Sequence, residues 1–160
     1  MYLVKKEQSY KGAVVLGLND ALVELSGALV GLSFALAETT LIATVGLITG
    51  FAAALSMAAS EYLSAKEDKH KNPVKASVYT GIAYIIAVLI LVAPYFIFSD
   101  IYTSTAIMSC LVVVIIASYT GYVSRVENKS FKRKFIEMFS ITFTVSIISF
   151  LFGTLVKRIV

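Results

Sequence analysis

Apolar residues gather along this chain in five near-continuous runs, 12–37, 41–64, 76–98, 101–123 and 135–156, with short polar stretches between them. Each run has the roughly 20 residues that a helix needs to cross a ~30 Å hydrocarbon core. A porin-like barrel is excluded, because its strands read as ~10-residue segments of alternating hydrophobicity. The pattern predicts an all-α fold, an integral membrane bundle of five transmembrane helices in a single domain spanning residues 1–160. The break at Glu38-Thr39-Thr40 is too short for anything except an antiparallel hairpin. Pro73 separates the second helix from the third, and Pro94 marks a kink or terminus near the outer end of the third.

Composition agrees with the pattern: 58% hydrophobic, 15% charged, mean hydropathy +0.84. Ordinary soluble domains are far less apolar. The distribution of charge then chooses an orientation. Lys5, Lys6 and Lys11 precede the first helix; Lys66, Lys69, Lys71 and Lys75 surround the second-to-third connection; Arg125, Lys129, Lys132, Arg133 and Lys134 surround the fourth-to-fifth. The other two connections carry no Lys or Arg. Positive residues stay inside, so the N-terminus is expected in the cytoplasm and the C-terminus outside, with Lys157 and Arg158 a mild exception. The net charge of +4 reads as topology and attraction to an anionic lipid bilayer, not as nucleic-acid binding. Residues 1–10 lack a cleavage site before a short apolar core, so the first helix is expected to be retained. Tyr10, Tyr62, Tyr79, Tyr95, Tyr102 and Tyr122 fall near predicted helix ends, as an interfacial belt would. Cys110 is the single cysteine, which excludes an intrachain disulfide and leaves it a small apolar packing residue.

The candidate chemistry sits in the first two runs. Asp20 and Glu24 are four residues apart, hence on one helical face, and the second run answers with Met57 and Glu61. A carboxylate at membrane depth costs at least ~2.5 kcal/mol on insertion scales, so it normally marks an ion or proton path. Asp20 lies eight residues in from position 12 and Met57 eight residues in from position 65, or ~12 Å for each, so the two can be level. Glu24 is a turn deeper and Glu61 a turn shallower, giving a graded ladder of ligands. Gly27/Gly31 and Gly46/Gly50 form GxxxG pairs on the same two helices, expected to serve close helix packing. Glu67, Asp68 and His70 offer a weaker metal-collecting cluster at the cytoplasmic mouth, against the plainer reading of a solvated loop. Ser140, Thr142, Thr144, Ser146 and Ser149 on the fifth helix are expected to bond back to their own helix or across to neighbours.

Carboxylates alone suit Mg2+ or Ca2+, whereas a thioether favours transition metals, so a mixed site fits Fe2+ or Mn2+. One hairpin has too few ligands for octahedral coordination, and a two-fold axis would double them. Crowded acids hold protons that a metal displaces, which makes metal–proton exchange a natural consequence, with Glu24 and Asp20 as the proton-coupling groups. Met57 taken alone reads as a lipid-facing or core-packing residue, and only its register with Asp20 and Glu61 makes it a ligand.

The stretches Gly17-Leu18-Asn19-Asp20-Ala21-Leu22 and Leu55-Ser56-Met57-Ala58-Ala59-Ser60-Glu61-Tyr62-Leu63-Ser64 resemble the vacuolar iron transporter family, including its shorter prokaryotic members. The resemblance implies a homodimer of five-helix subunits that carries Fe2+ or Mn2+ out of the cytosol while protons move the other way. It also implies that Asp20 and Met57 line the pathway at the dimer interface. Metal is then a transported substrate, with no permanently bound cofactor and no enzyme activity, and the location is a membrane crossed several times, the plasma membrane if the source is prokaryotic. The chain departs from plant members at Thr49, where they have Glu, and in lacking their Glu- and Met-rich cytoplasmic domain. Glu24 and Glu61 are placed to substitute for the missing carboxylates. Two alternatives remain: a structural or regulatory membrane subunit whose acids only bond neighbouring helices, and an anchor receiving metal from a soluble ferritin-like partner. An intramembrane aspartyl protease needs two opposed aspartates, and only Asp20 lies within a run.

Overall fold

The computed structural model describes residues 2–36, 38–68 and 72–159, the side chains of 2–9 and of Glu127 aside. Among them the chain is all-α, with five helical spans long and apolar enough to cross a membrane. The first span is composite: α1 (Tyr2–Asp20), a π-helical turn (Ala21–Leu25) and α2 (Ser26–Ala35). The others are α3 (Thr39–Glu67), α4 (Pro73–Ile97), α5 (Ile101–Glu127) and α6 (Phe131–Ile159). Ala37, Lys69, His70 and Lys71 lie outside the described residues, as do the side chains of Lys5 and Lys6.

Several helices outrun the apolar segments that predict them. With 29 residues each, α3 and α6 are ~44 Å long at 1.5 Å per residue, well beyond a ~30 Å core. Apolar content marks only the hydrocarbon crossing, while a helix continues until a cap or a breaker stops it. Those stops are visible here. Asn72 Oδ1 accepts from Lys75 N at 3.1 Å, with Pro73 opening α4 where its missing N–H costs nothing. Asp100 Oδ2 accepts from Thr103 N at 2.7 Å to open α5. Hydrogen bonds from the Thr103 hydroxyl and backbone hold the exposed Asp100 carboxyl below the usual carboxylate range. Asn128 takes the left-handed conformation (φ 55°, ψ 35°) that ends α5, and Lys129 N closes the turn onto Ser124 O at 3.1 Å. Pro94 neither ends α4 nor is idle: the helix runs on to Ile97, and its carbonyl accepts from Phe98 N and from the Ser104 hydroxyl.

The bundle is built around α4, the most buried span, against which α3 and α1 pack most extensively, and α5 less so. The outer half of the first span takes a different partner, α6. Two close approaches carry these contacts. A Cβ on Gly17 would strike the Thr80 backbone, where the Thr80 hydroxyl also donates to Ala13 O at 2.9 Å. A Cβ on Gly153 would likewise strike the backbone of Gly31. Without a hydrophobic drive between helices in lipid, such small-residue contacts are how membrane helices gain packing. Near the end that carries the basic connections, Ala13, Ala65 and Ala76 meet where α1, α3 and α4 converge. The main core runs through Leu22, Leu25, Leu29, Ile42, Tyr84 and Leu91. The least buried span, α6, carries a ladder of Phe131, Phe135, Phe139 and Phe143, with successive ring centroids 5.6, 5.9 and 5.8 Å apart, of which Phe135 packs against that core.

Three details differ from the sequence-based expectations. The first hairpin is antiparallel, but its arms touch little, because α2 leans on α6 and α3 on α4. Tyr95 is not part of an interfacial belt: it is 1% exposed, and its hydroxyl donates to Thr105 Oγ1 at 3.2 Å and lies 2.9 Å from Ser33 Oγ. Thr142 is buried with its hydroxyl unpartnered, where bonding back or across is expected for the α6 hydroxyls.

Candidate functional site

The π turn begins directly after Asp20 and contains Glu24, so it separates the settings of the two acids of the first span. Ser26 sends its backbone N–H to Val23 O and its hydroxyl to Leu22 O, so the irregular turn is stabilised from within the chain. Single π turns inside α-helices are rare and concentrate at functional sites. Here the turn is also where the first span changes partner, from α4 below to α6 above.

Asp20 ends α1 half-buried, and Glu24 lies within the π turn with its side chain exposed on the surface of the subunit. The two carboxyl groups are near enough to interact as charges. Tyr84, at the middle of α4 and 0% exposed, donates its hydroxyl to Glu24 Oε2 at 3.1 Å. The result is a carboxyl pair at membrane depth with one fixed donor, one buried shoulder and one open face. Beside it, Asn19 holds its side-chain carbonyl oxygen buried without a partner. An unpaired buried oxygen is costly, and the residue that bears it directly precedes Asp20 in the chain.

Met57 is half-buried on α3 and packs against the main core. Glu61, a turn further toward the basic end, is also half-buried. Among the described residues no three Asp, Glu, His or Cys side chains come together as a metal-binding group, so within one subunit Glu61 does not complete a cluster with Asp20 and Glu24. Glu67 and Asp68 are exposed at the end of α3, and His70 lies outside the described residues. The four glycines face partners inside the subunit. A Cβ on Gly27 or Gly31 would meet Val145 or Ser149 of α6 at 2.8 and 2.9 Å; on Gly46 or Gly50 it would meet Leu29 of α2 or Val88 of α4 at 2.8 Å.

Tyr84 and Asn19 are absent from the sequence-based site. Tyr84 had a signal: a tyrosine in mid-span, away from the interfacial ends, must find a partner for its hydroxyl. Asn19 had a weaker one, a carboxamide beside an intramembrane aspartate.

A five-span helical bundle holding an interacting, partly open pair of acids at membrane depth defines a multi-pass membrane protein of the transporter class. A family model described as the VIT family matches residues 12–71 and 65–154, and the chain belongs to that family. The two matched segments meet at the connection between α3 and α4. Members of the family are transporters, not enzymes, and their activity is the movement of metal ions across a membrane. No curated protein matches the chain significantly.

Proposed function

We propose that this protein exports Fe2+ or Mn2+ from the cytosol in exchange for protons, along a pathway on the two-fold axis of a homodimer in the membrane. The observation that carries the reading is the Asp20–Glu24 pair, tied on one side to Tyr84 and exposed on the other. An exposed carboxylate facing hydrocarbon is costly, and a second copy of the site across an axis removes that cost. The surface of α3 supports the same arrangement. Thr49, Ala52, Ser56, Ala59 and Ser60 are exposed there, so a small, weakly polar face is left without a partner in the subunit. The GxxxG glycines are occupied within the subunit, so the case for dimerisation moves from them to this α3 face. In this reading Met57 supplies the soft ligand that favours transition metals.

Crowded acids with one hydroxyl donor hold a proton cheaply when the site is empty and lose it when a divalent cation arrives. Glu24 is the exchanging group in this mechanism, because it lies deeper than Asp20 from the basic end and is the exposed member of the pair. The test is uptake into proteoliposomes containing only the purified protein. Fe2+ and Mn2+ should move much faster than Mg2+ and Ca2+, and an imposed pH gradient should concentrate metal on the more acidic side. Equal rates for all four ions would remove the role of Met57. A flux indifferent to the pH gradient would make the protein an uncoupled conduit.

A further inference from the structure

The π turn takes from one carbonyl its usual donor. In a continuous α-helix the Ser26 N–H would bond Leu22 O, but here it goes to Val23 O. Leu22 is fully buried, so solvent does not supply the missing donor, and a backbone carbonyl left bare at membrane depth is costly. The Ser26 hydroxyl fills the place by donating to Leu22 O. Other hydroxyls of the bundle also bond back by one turn, Ser33 to Leu29 O and Thr120 to Ile116 O. Those carbonyls lie within regular α-helix and keep their backbone donor, so the hydroxyl is an addition there. At Ser26 it is a replacement.

We propose that Ser26 is a positioning residue for the acid pair: by taking over Leu22 O, its hydroxyl keeps the π register that brings Glu24 to the Tyr84 hydroxyl. Without that hydroxyl, the way to satisfy Leu22 O from the backbone is to return the Ser26 N–H to it, which restores the α register. Each residue of register turns the two halves of the span against each other by about 100° and shifts them by about 1.5 Å. Neither half is free to follow. Gly17 lies against the Thr80 backbone below the turn, and Gly31 against the Gly153 backbone above it. The change therefore falls on the residues between, where Glu24 Oε2 accepts from Tyr84 at 3.1 Å and Tyr84, fully buried, is held in place. Ser26 acts through the backbone and not by contact with metal. Its other side borders a cavity of about 270 Å3 lined also by Val30, Met108, Val112, Ile116 and Thr142, so a methyl group added at Ser26 has room. As a statement about transport the inference rests on the exchange proposed above, with Glu24 as the exchanging group; as a statement about geometry it does not.

The experiment uses the full chain in lipid bilayers. Infrared difference spectra are recorded between acidic and alkaline buffer without metal, and the band lost in Glu24→Gln marks the C=O stretch of the protonated Glu24 carboxyl. Tyr84→Phe should move that band to higher frequency, because a hydrogen bond to the carboxyl is lost. Ser26→Ala should move it in the same direction by a similar amount, and the double variant should move it no further. Ser26→Thr keeps the hydroxyl and should leave the band in place. Ser26→Cys, nearly isosteric and a weaker donor, should give a partial shift and replaces the alanine variant if that one does not fold. In proteoliposomes, accumulation of Mn2+ driven by a pH gradient should fall in Ser26→Ala as it does in Tyr84→Phe, and should be kept in Ser26→Thr. An unmoved band in Ser26→Ala, or in Ser26→Cys where alanine unfolds, would overturn the inference. Additive shifts in the double variant would overturn it too, since Ser26 would then act apart from Tyr84, and an equal shift in Ser26→Thr would reduce Ser26 to a packing residue. A wild-type flux indifferent to the pH gradient would remove the exchange mechanism, while the infrared shifts would still decide the role of Ser26.

Discussion

Two tyrosines on α4, about three helical turns apart, are both buried to within 1% of completely, yet they end in opposite kinds of environment. The Tyr95 hydroxyl meets Thr105 Oγ1 and Ser33 Oγ, each of which also donates to a carbonyl of its own helix, Ile101 O and Leu29 O. That cluster joins α2, α4 and α5 without any charge, with Tyr95 and Ser33 buried and Thr105 half-buried. The Tyr84 hydroxyl meets the Glu24 carboxylate, which has Asp20 beside it, a π turn under it and an open face beyond it. A neutral, satisfied network in a membrane interior contributes packing and register. An interacting acid pair left open is unstable there unless protons or a cation complete it. Chemistry therefore belongs to the region that the fold leaves unfinished.

The comparison is tested most severely at the acids. Asp20→Asn preserves shape and hydrogen bonding while removing charge, and should abolish Fe2+ and Mn2+ flux in proteoliposomes with the unfolding midpoint kept. Full flux in that variant would show Asp20 to be a helix-packing residue and would favour the structural-subunit alternative. Glu24→Gln should leave downhill metal flow but remove accumulation driven by a pH gradient; an internal pH indicator that still responds would move the exchanged proton to another group.

Next in size is the contact that brings α1 to α4. Gly17→Ala places a methyl against the Thr80 backbone, with no flexible side chain able to yield, and should cost about 1–3 kcal/mol of stability. Because Glu24 reaches Tyr84 from the same span, flux should fall with it. A Gly17→Ala protein with unaltered midpoint and flux would mean that the α1–α4 spacing is not what sets the site.

The tyrosines then separate the two regions directly. Tyr95→Phe leaves Ser33 and Thr105 with their backbone partners, so it should cost only about 1 kcal/mol in denaturant unfolding and leave flux alone. Tyr84→Phe should have a similarly small effect on stability but change flux several-fold, with a shifted pH profile, since Glu24 loses its only identified donor outside the acid pair. The same flux response from both variants would erase the distinction between the neutral and the acidic network.

The smallest effect lies outside the membrane. The folded-state pKa of Asp100 is lowered by Thr103, so its contribution to stability is present above the unfolded value near 3.8 and is lost as pH falls through the folded value. Asp100→Asn retains a capping side chain and should flatten this small acid dependence of the unfolding midpoint without altering it at neutral pH.

For the dimer, cysteines at Ala52 or Ser56 on the exposed face of α3 should cross-link between subunits more readily than one at Leu89, which is 57% exposed on α4. Preferential cross-linking at Leu89 would move the axis away from Glu24.

Much of this was legible from residue order alone, because the strongest constraints in a membrane are local. Hydrocarbon thickness demands runs of about 20 apolar residues, and backbone polar groups in lipid must be satisfied within the segment, so five runs meant five helices. Asp20 and Glu24 stood out for a similar reason, the cost of charge at depth, which needs no neighbour to be recognised. What the sequence could not determine is which faces meet. Gly27, Gly31, Gly46 and Gly50 mark places of close approach, yet only the bundle decided that α6, α2 and α4 would occupy them. The regular i, i+4 spacing of the acids concealed a π turn, which arises where one span must serve two packing partners and not from any propensity of Ala21-Leu22-Val23-Glu24-Leu25. The pairing of Glu24 with Tyr84 joins positions 60 residues apart, and the isolation of Glu61 from that pair within the subunit depends on α3 leaning toward α4. Local solvent cost is additive along a chain and can be read from it; the rotation of one helix about its axis against another is set by the sum of many small contacts, and only tertiary packing resolves it.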